Sequence, residues 1–237
     1  MAQSFFIWNG YDCRSKGITL RGPVPIIRPE ERVKHVEIPG ASGDLTETEG
    51  EHIYNSYIQT ASISVRGGYN VREVFKWLRG SGYVTFSGEP DRKQAARIIG
   101  AVTLNKLSRN LDKWQGEVQF YCQPLKQLLF EQDVTVTSSG THVRNNGDVT
   151  AKPRIKLTPS GTSATVTIGG KTFGLSSLTS GTAVIIDSAV MEVTSLDGST
   201  LLTKNSTGAF PVLACGDNTI TGSGWSKLEI AKRERYL

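Results

Sequence analysis

The chain has 237 residues, 38% of them hydrophobic and 21% charged, a folded globular composition with room for one or two cores, unlike that of a disordered segment. The net charge of +5 is spread out, +3 over residues 1–132 and +2 over 133–237, and the densest basic run, Lys232-Arg233-Glu234-Arg235, is broken by a glutamate; the clustered cations or interleaved aromatics of direct nucleic-acid recognition are missing. Three widely spaced cysteines (Cys13, Cys122, Cys215) argue against a disulfide framework or zinc site and fit a reducing compartment, while the apolar runs are too short for a membrane span and the N-terminus lacks the basic start of a signal peptide.

In chain order, Phe5-Phe6-Ile7-Trp8-Asn9-Gly10 is an aromatic run ending in Asn-Gly, the strongest short hairpin signal, and its second strand is expected through Ile18-Thr19-Leu20. Gly22-Pro23-Val24-Pro25-Ile26-Ile27-Arg28-Pro29 fits neither helix nor central strand and reads as extended connector or an edge. Residues 33–50 read as a long hairpin: an imperfect alternation from Val33 to Ile38, turn chemistry from Pro39 to Asp44, and a polar return from Leu45 to Gly50. It has too few apolar residues to bury itself, so it is either solvated or paired with another chain.

Tyr57, Gln59, Ala61, Ile63 and Val65 share one face of a strand that leads into a helix. Asn70 can cap that helix with Glu73 reaching back as a capping box, Val71, Val74, Phe75 and Leu78 form its apolar face, and Gly80 supplies a left-handed stop. Tyr83–Phe86 is a strand and Ser87–Arg92 its turn. Two further alternating sets follow: Ala96, Ile98, Val102 and Leu104, then Trp114, Gly116, Val118, Phe120 and Cys122. Together they describe a sheet with a helix on one face. Pro124 cannot donate to a ladder, so the last strand is expected to stop there, with Leu125–Phe130 a short apolar turn and a domain boundary near 124–133.

The remainder reads as all-β. Thr165–Phe173 is a hairpin through Gly169-Gly170, Ala183–Asp187 a buried strand, and Asp197-Gly198 another hairpin, before strands at Asn218–Thr221 and Leu228–Ala231. Short strands with regular turn signals predict a β-sandwich.

No catalytic, cofactor or metal constellation stands out, so an enzyme is not expected. His35 and His52 lie seventeen apart without a third ligand at a useful spacing, and His142 is remote. Gly80-Ser81-Gly82 leads from a helix into a strand, the reverse of the order that cradles phosphate. Glu47, Glu49 and Glu51 read as a solvated acidic face rather than a paired-carboxylate cleft. Trp225 could stack on a sugar, which makes a carbohydrate-binding β-sandwich protein the alternative reading, but a tryptophan after Gly-Ser-Gly reads first as a strand-end core residue.

Several segments, taken in order, resemble the distal tail protein (Dit) family of long, non-contractile-tailed phages of Gram-positive hosts. They are Phe6-Ile7-Trp8-Asn9-Gly10, Gly22-Pro23, Arg28-Pro29-Glu30-Glu31-Arg32, Val36-Glu37-Ile38-Pro39-Gly40 and Gly43-Asp44-Leu45-Thr46, then Trp77-Leu78-Arg79-Gly80-Ser81-Gly82, Phe86-Ser87-Gly88-Glu89-Pro90-Asp91-Arg92 and Phe120-Tyr121-Cys122-Gln123-Pro124. In the second half, Asn145-Asn146-Gly147 to Lys152-Pro153-Arg154-Ile155, Ile186-Asp187, Gly208–Leu213, Gly216–Ile220 and Arg233–Leu237 continue the likeness.

The resemblance implies a mainly β fold: an α+β N-terminal ring-forming domain over 1–132, with a sheet, one helix and a protruding hairpin, and a C-terminal galectin-like β-sandwich over 133–237. It implies a structural protein of the virion tail tip, assembled in the host cytoplasm. Six copies would form a homohexameric ring between the major tail tube protein and the tail-associated (Tal) protein, with a receptor-binding protein as a further partner. The channel would pass DNA without recognising it, and no cofactor or membrane is implied. The hairpin would be the belt that grips the neighbour, with Val36, Ile38, Pro39, Gly40, Asp44 and Leu45 at the oligomer interface. The long insertions that carry receptor-binding arms or carbohydrate modules in larger relatives are missing from this chain.

Overall fold

The computed structural model describes residues 4–40, 42–48, 50, 53–108 and 111–237. Ala41, Glu49, Glu51 and His52 therefore lie outside the described residues, and with them part of the expected turn, two of the three clustered glutamates and one histidine. The chain is mainly β and divides into two compact units, residues 1–129 with Leu237, and residues 130–236.

The first unit runs β1 (Phe6–Trp8), β2 (Tyr11–Asp12), β3 (Ile18–Leu20), β4 (Val33–Glu37), β5 (Asp44–Thr48), β6 (Tyr57–Val65), α1 (Val71–Trp77), β7 (Ser81–Phe86), β8 (Arg92–Ser108) and β9 (Leu111–Leu128). Seven of the strands make one sheet in the order β2-β1-β7-β8-β9-β6-β3, while β4 and β5 pair only with each other. Asn9 and Gly10 both take positive φ (50° and 82°), as a tight hairpin between β1 and β2 requires. The strand expected from Ile18 to Leu20 exists, but it does not return onto the aromatic run. Asp12 caps a 3-10 turn over Cys13–Lys16 by accepting from the Arg14 N–H, and Gly17 ends that turn in the left-handed region. The chain is thereby carried to the opposite edge of the sheet, where β3 pairs with β6.

Alternation along β6 and β9 sends Ala61, Ile63, Val65, Val118, Phe120 and Cys122 into the core. Phe120 meets Phe6 edge-on and Trp8 at a tilt, with ring centroids 5.4 and 5.5 Å apart. Helix α1 covers this face. Asn70 accepts from the Arg72 N–H, but Glu73 takes the Lys76 ammonium at 2.7 Å, so only half of the expected capping box is formed. The buried stripe is also rotated from the expected one. Val74 and Leu78 are buried, and Trp77 stacks on Phe6 at 5.7 Å. That stacking turns Phe75 outward, where it is 39% exposed.

The expected stop at Pro124 does not occur: β9 continues to Leu128, and residues 125–128 are strand rather than turn. Gln94 pairs with Lys126 and Ala96 with Cys122, so two extra residues of β9 are accommodated in a bulge. Pro124 falls inside that bulge, beyond the Tyr57–Cys122 end of the β6 pairing, where no ladder bond needs its missing N–H.

The second unit holds β10 (Val134–Val136), β11 (Thr141–Asn145), β12 (Arg154–Pro159), β13 (Ala164–Ile168), β14 (Lys171–Leu175), β15 (Val184–Asp187), β16 (Glu192–Ser195), β17 (Ser206–Gly208), β18 (Gly216–Ser223) and β19 (Trp225–Ala231). They form two five-stranded sheets, β10-β19-β12-β15-β16 and β11-β18-β13-β14-β17. Ile155, Leu157, Ile186, Leu228 and Ile230 of the first pack with Val166, Ile168, Phe173 and Ile220 of the second into one core, the arrangement of a sandwich. The Gly169-Gly170 turn joins β13 to β14 with both φ values positive.

Candidate assembly interface

The β4–β5 hairpin is the element least explained by its own contacts. Its register is Val33–Thr48, Lys34–Glu47, His35–Thr46, Val36–Leu45 and Glu37–Asp44. Lys34, Val36, Leu45 and Glu47 therefore share one face, and Val33, His35, Glu37, Asp44, Thr46 and Thr48 the other. The stem is continued by the Glu31–Tyr54 bridge and by an Arg32–Asn55 side-chain hydrogen bond of 3.1 Å.

No residue of β4 or β5 is buried, and Ile38 and Leu45 are 48% and 50% exposed. A two-stranded hairpin alone in water is marginal at best. The Lys34–Glu47 ion pair, 3.9 Å long and exposed on both sides, adds little. Glu37 faces Asp44 directly across the strands, an arrangement that costs rather than stabilises.

The residues expected at the interface thus sort into three positions. Val36 and Leu45 are brought together as a cross-strand apolar pair. Asp44 points to the opposite face with Glu37. Ile38, Pro39 and Gly40 lead into the tip, where Gly40 and Gly43 take φ values of 81° and 90° that suit glycine.

A second exposed surface of the same unit escaped the sequence reading. Phe75 (39% exposed) lies on α1 between Arg72 and Lys76; Tyr69 (46%) precedes the helix, and Tyr11 (60%) lies under the Lys16 ammonium at 5.4 Å. The ring of Tyr69 lies flat on Gly17, where a Cβ would come within 2.5 Å of it. The Lys76 bond and charge, and more weakly the Lys16 charge, hold the Glu73 carboxyl below its ordinary value. Arg66, Arg72 and Arg79 are exposed and make no ion pair among the described residues. The available sequence signal was Phe75 sitting between two cations on a helix too short to bury both sides.

Among the described residues, no group of three or more His, Cys, Asp or Glu side chains could hold a metal ion. His35 is exposed on β4, and Nδ1 of His142 shares a hydrogen bond with the Thr219 hydroxyl at 3.2 Å. Trp225 opens β19 half-buried, packs on the sandwich core and donates its indole N–H to the Thr165 carbonyl at 3.0 Å. These contacts commit it to the fold, as its place at a strand end suggests.

No family model matches the chain, and no curated protein matches it in sequence. Solved structures do. The SPP1 Dit (gp 19.1) protein, described as a paradigm of the hub adsorption apparatus in phages infecting Gram-positive bacteria, superposes with a TM-score of 0.80 at 17% identity, over 100% of both chains. A chain of the phage p2 baseplate, in its activated conformation with Sr, superposes with a TM-score of 0.51 at 10% identity, over 96% of both chains. From its first strand to its last, this chain therefore has the fold of SPP1 Dit.

Proposed function

We propose that this chain is a structural hub protein of a phage distal tail and not an enzyme. The observation that carries the reading is the end-to-end likeness to SPP1 Dit, which spans both units rather than one common sandwich. Six copies close a ring at the tail tip, with the β4–β5 hairpin of each held by its neighbour. Ring closure leaves no copy with an unpartnered hairpin, which answers the exposure of Ile38 and Leu45. Residues 1–132 build the ring, and the sandwich over 133–237 is the galectin-like outer domain. The ring joins the tail tube protein to the Tal protein, with a receptor-binding protein as a further partner. It leaves an open channel through which DNA passes unread. The protein belongs to the virion tail tip and is assembled in the host cytoplasm.

The test is the mass of the purified protein by light scattering, with negative-stain images of the same fraction. Six-fold rings with an open centre are the expected result. A single-chain mass of 25.8 kDa, together with failure to bind either the tube protein or a tail-tip protein, would overturn the reading.

A further inference from the structure

The hairpin and the α1 surface are opposite in charge, and both expose large apolar side chains, Ile38 and Leu45 on one and Phe75 and Tyr69 on the other. Residues 33–51 carry one lysine against five carboxylates, in a chain whose net charge is +5. Glu37 and Asp44 face each other on the side of the hairpin away from Lys34, while on the α1 surface Arg72, three residues before the exposed Phe75, makes no ion pair among the described residues. A guanidinium fork set between two carboxylates offsets their repulsion and adds charge-assisted hydrogen bonds.

We propose that the tip of the β4–β5 hairpin docks on the α1 surface of a second copy of this chain. Ile38 covers Phe75, and Arg72 takes Glu37 and Asp44. This rests on the ring reading and adds to it the surface that receives the hairpin. Because donor and receiver are different patches of one chain, the contact is head-to-tail, the geometry that can close a ring. It also makes assembly salt-sensitive, since the charges sit at an exposed rim.

The full chain carrying Cys215→Ser, to remove the exposed thiol, tests this with the cysteine pair Ile38→Cys and Phe75→Cys. Mild oxidation gives a ladder of covalently linked chains on a denaturing gel. Ile38→Cys combined with Lys171→Cys, on the exposed turn of the sandwich, gives none. Adding Arg72→Glu cuts the ladder about tenfold, and Glu37→Lys with Asp44→Lys on that background restores it. The yield also falls several-fold between about 0.05 M and about 1 M salt, where the screening length drops to about 3 Å.

Absence of the ladder, a bond closed within one chain, or an equal ladder from the Lys171→Cys control would each overturn the docking surface. Rings that still form in the parent protein would then leave the hub reading standing, whereas loss of both would remove the two together.

Discussion

Glu234 is 2% exposed, and its carboxylate takes four hydrogen bonds from three residues. Burial pushes its carboxyl up, but the Asn146 N–H at 2.8 Å, the Lys232 ammonium and the Tyr236 hydroxyl at 2.7 Å outweigh that and hold it below the ordinary glutamate value. The Asn146 side-chain amide donates at 3.3 Å to Oε1, the oxygen that takes the Asn146 N–H, while the Tyr236 hydroxyl donates to Oε2. Next to it Arg233 forks onto Asp187 at 2.7 and 2.8 Å, and Glu131 accepts from the backbone N–H groups of Arg233 and Glu234. A folded-state value below the unfolded one gives stability that is present above about pH 4.3 and lost as pH falls through the folded value. Glu234→Gln should therefore destabilise residues 130–236 by about 1–3 kcal/mol at pH 7, with the deficit shrinking toward pH 3; melting curves across that range check it. This network was invisible in the sequence, where 232–235 reads as a broken basic run. Apart from Lys232 and Tyr236, its partners lie 46 to 103 residues away, and nothing local names them.

Hairpins and alternating strands were legible because their signals are local: an Asn-Gly pair at 9–10, a Gly-Gly pair at 169–170, a period of two along 57–65. Pairing choice was not. Where β3 goes depends on a 3-10 turn capped by Asp12, and whether Pro124 ends a strand depends on the register of β8 and the end of β6. The rotation of α1 that exposes Phe75 is likewise set by the ring of Phe6, seventy residues earlier. The β4–β5 hairpin was readable as an element poor in apolar residues, and the role proposed for it depends on a neighbour outside the chain. It contributes no buried side chain to the core of the first unit. On the proposed ring reading, shortening residues 40–46 should leave the thermal midpoint within about 2 °C of the parent while abolishing ring formation. A shortened chain that still sediments as a hexamer would take the belt away from this hairpin.

At the scale of the molecule, the chain divides into two units, each with a core of its own. What the sequence could not convey is the order of strands in each sandwich sheet, because β10 to β19 are interleaved between sheets by contacts distant along the chain. Trp225 is bound to the Thr165 carbonyl and packed on the core. A glycan array should give no reproducible signal, and Trp225→Ala should cost stability, about 2–4 kcal/mol, rather than any binding; array hits lost in that variant would reverse the conclusion. The cysteines have a practical corollary. Cys13 and Cys122 are buried, burial raising both thiols and carrying Cys122 to about 12, whereas Cys215 is exposed. A maleimide dye at neutral pH should thus mark each native chain once and each denatured chain three times. Stepwise photobleaching of labelled particles then becomes a subunit counter, with one step for every copy in the particle.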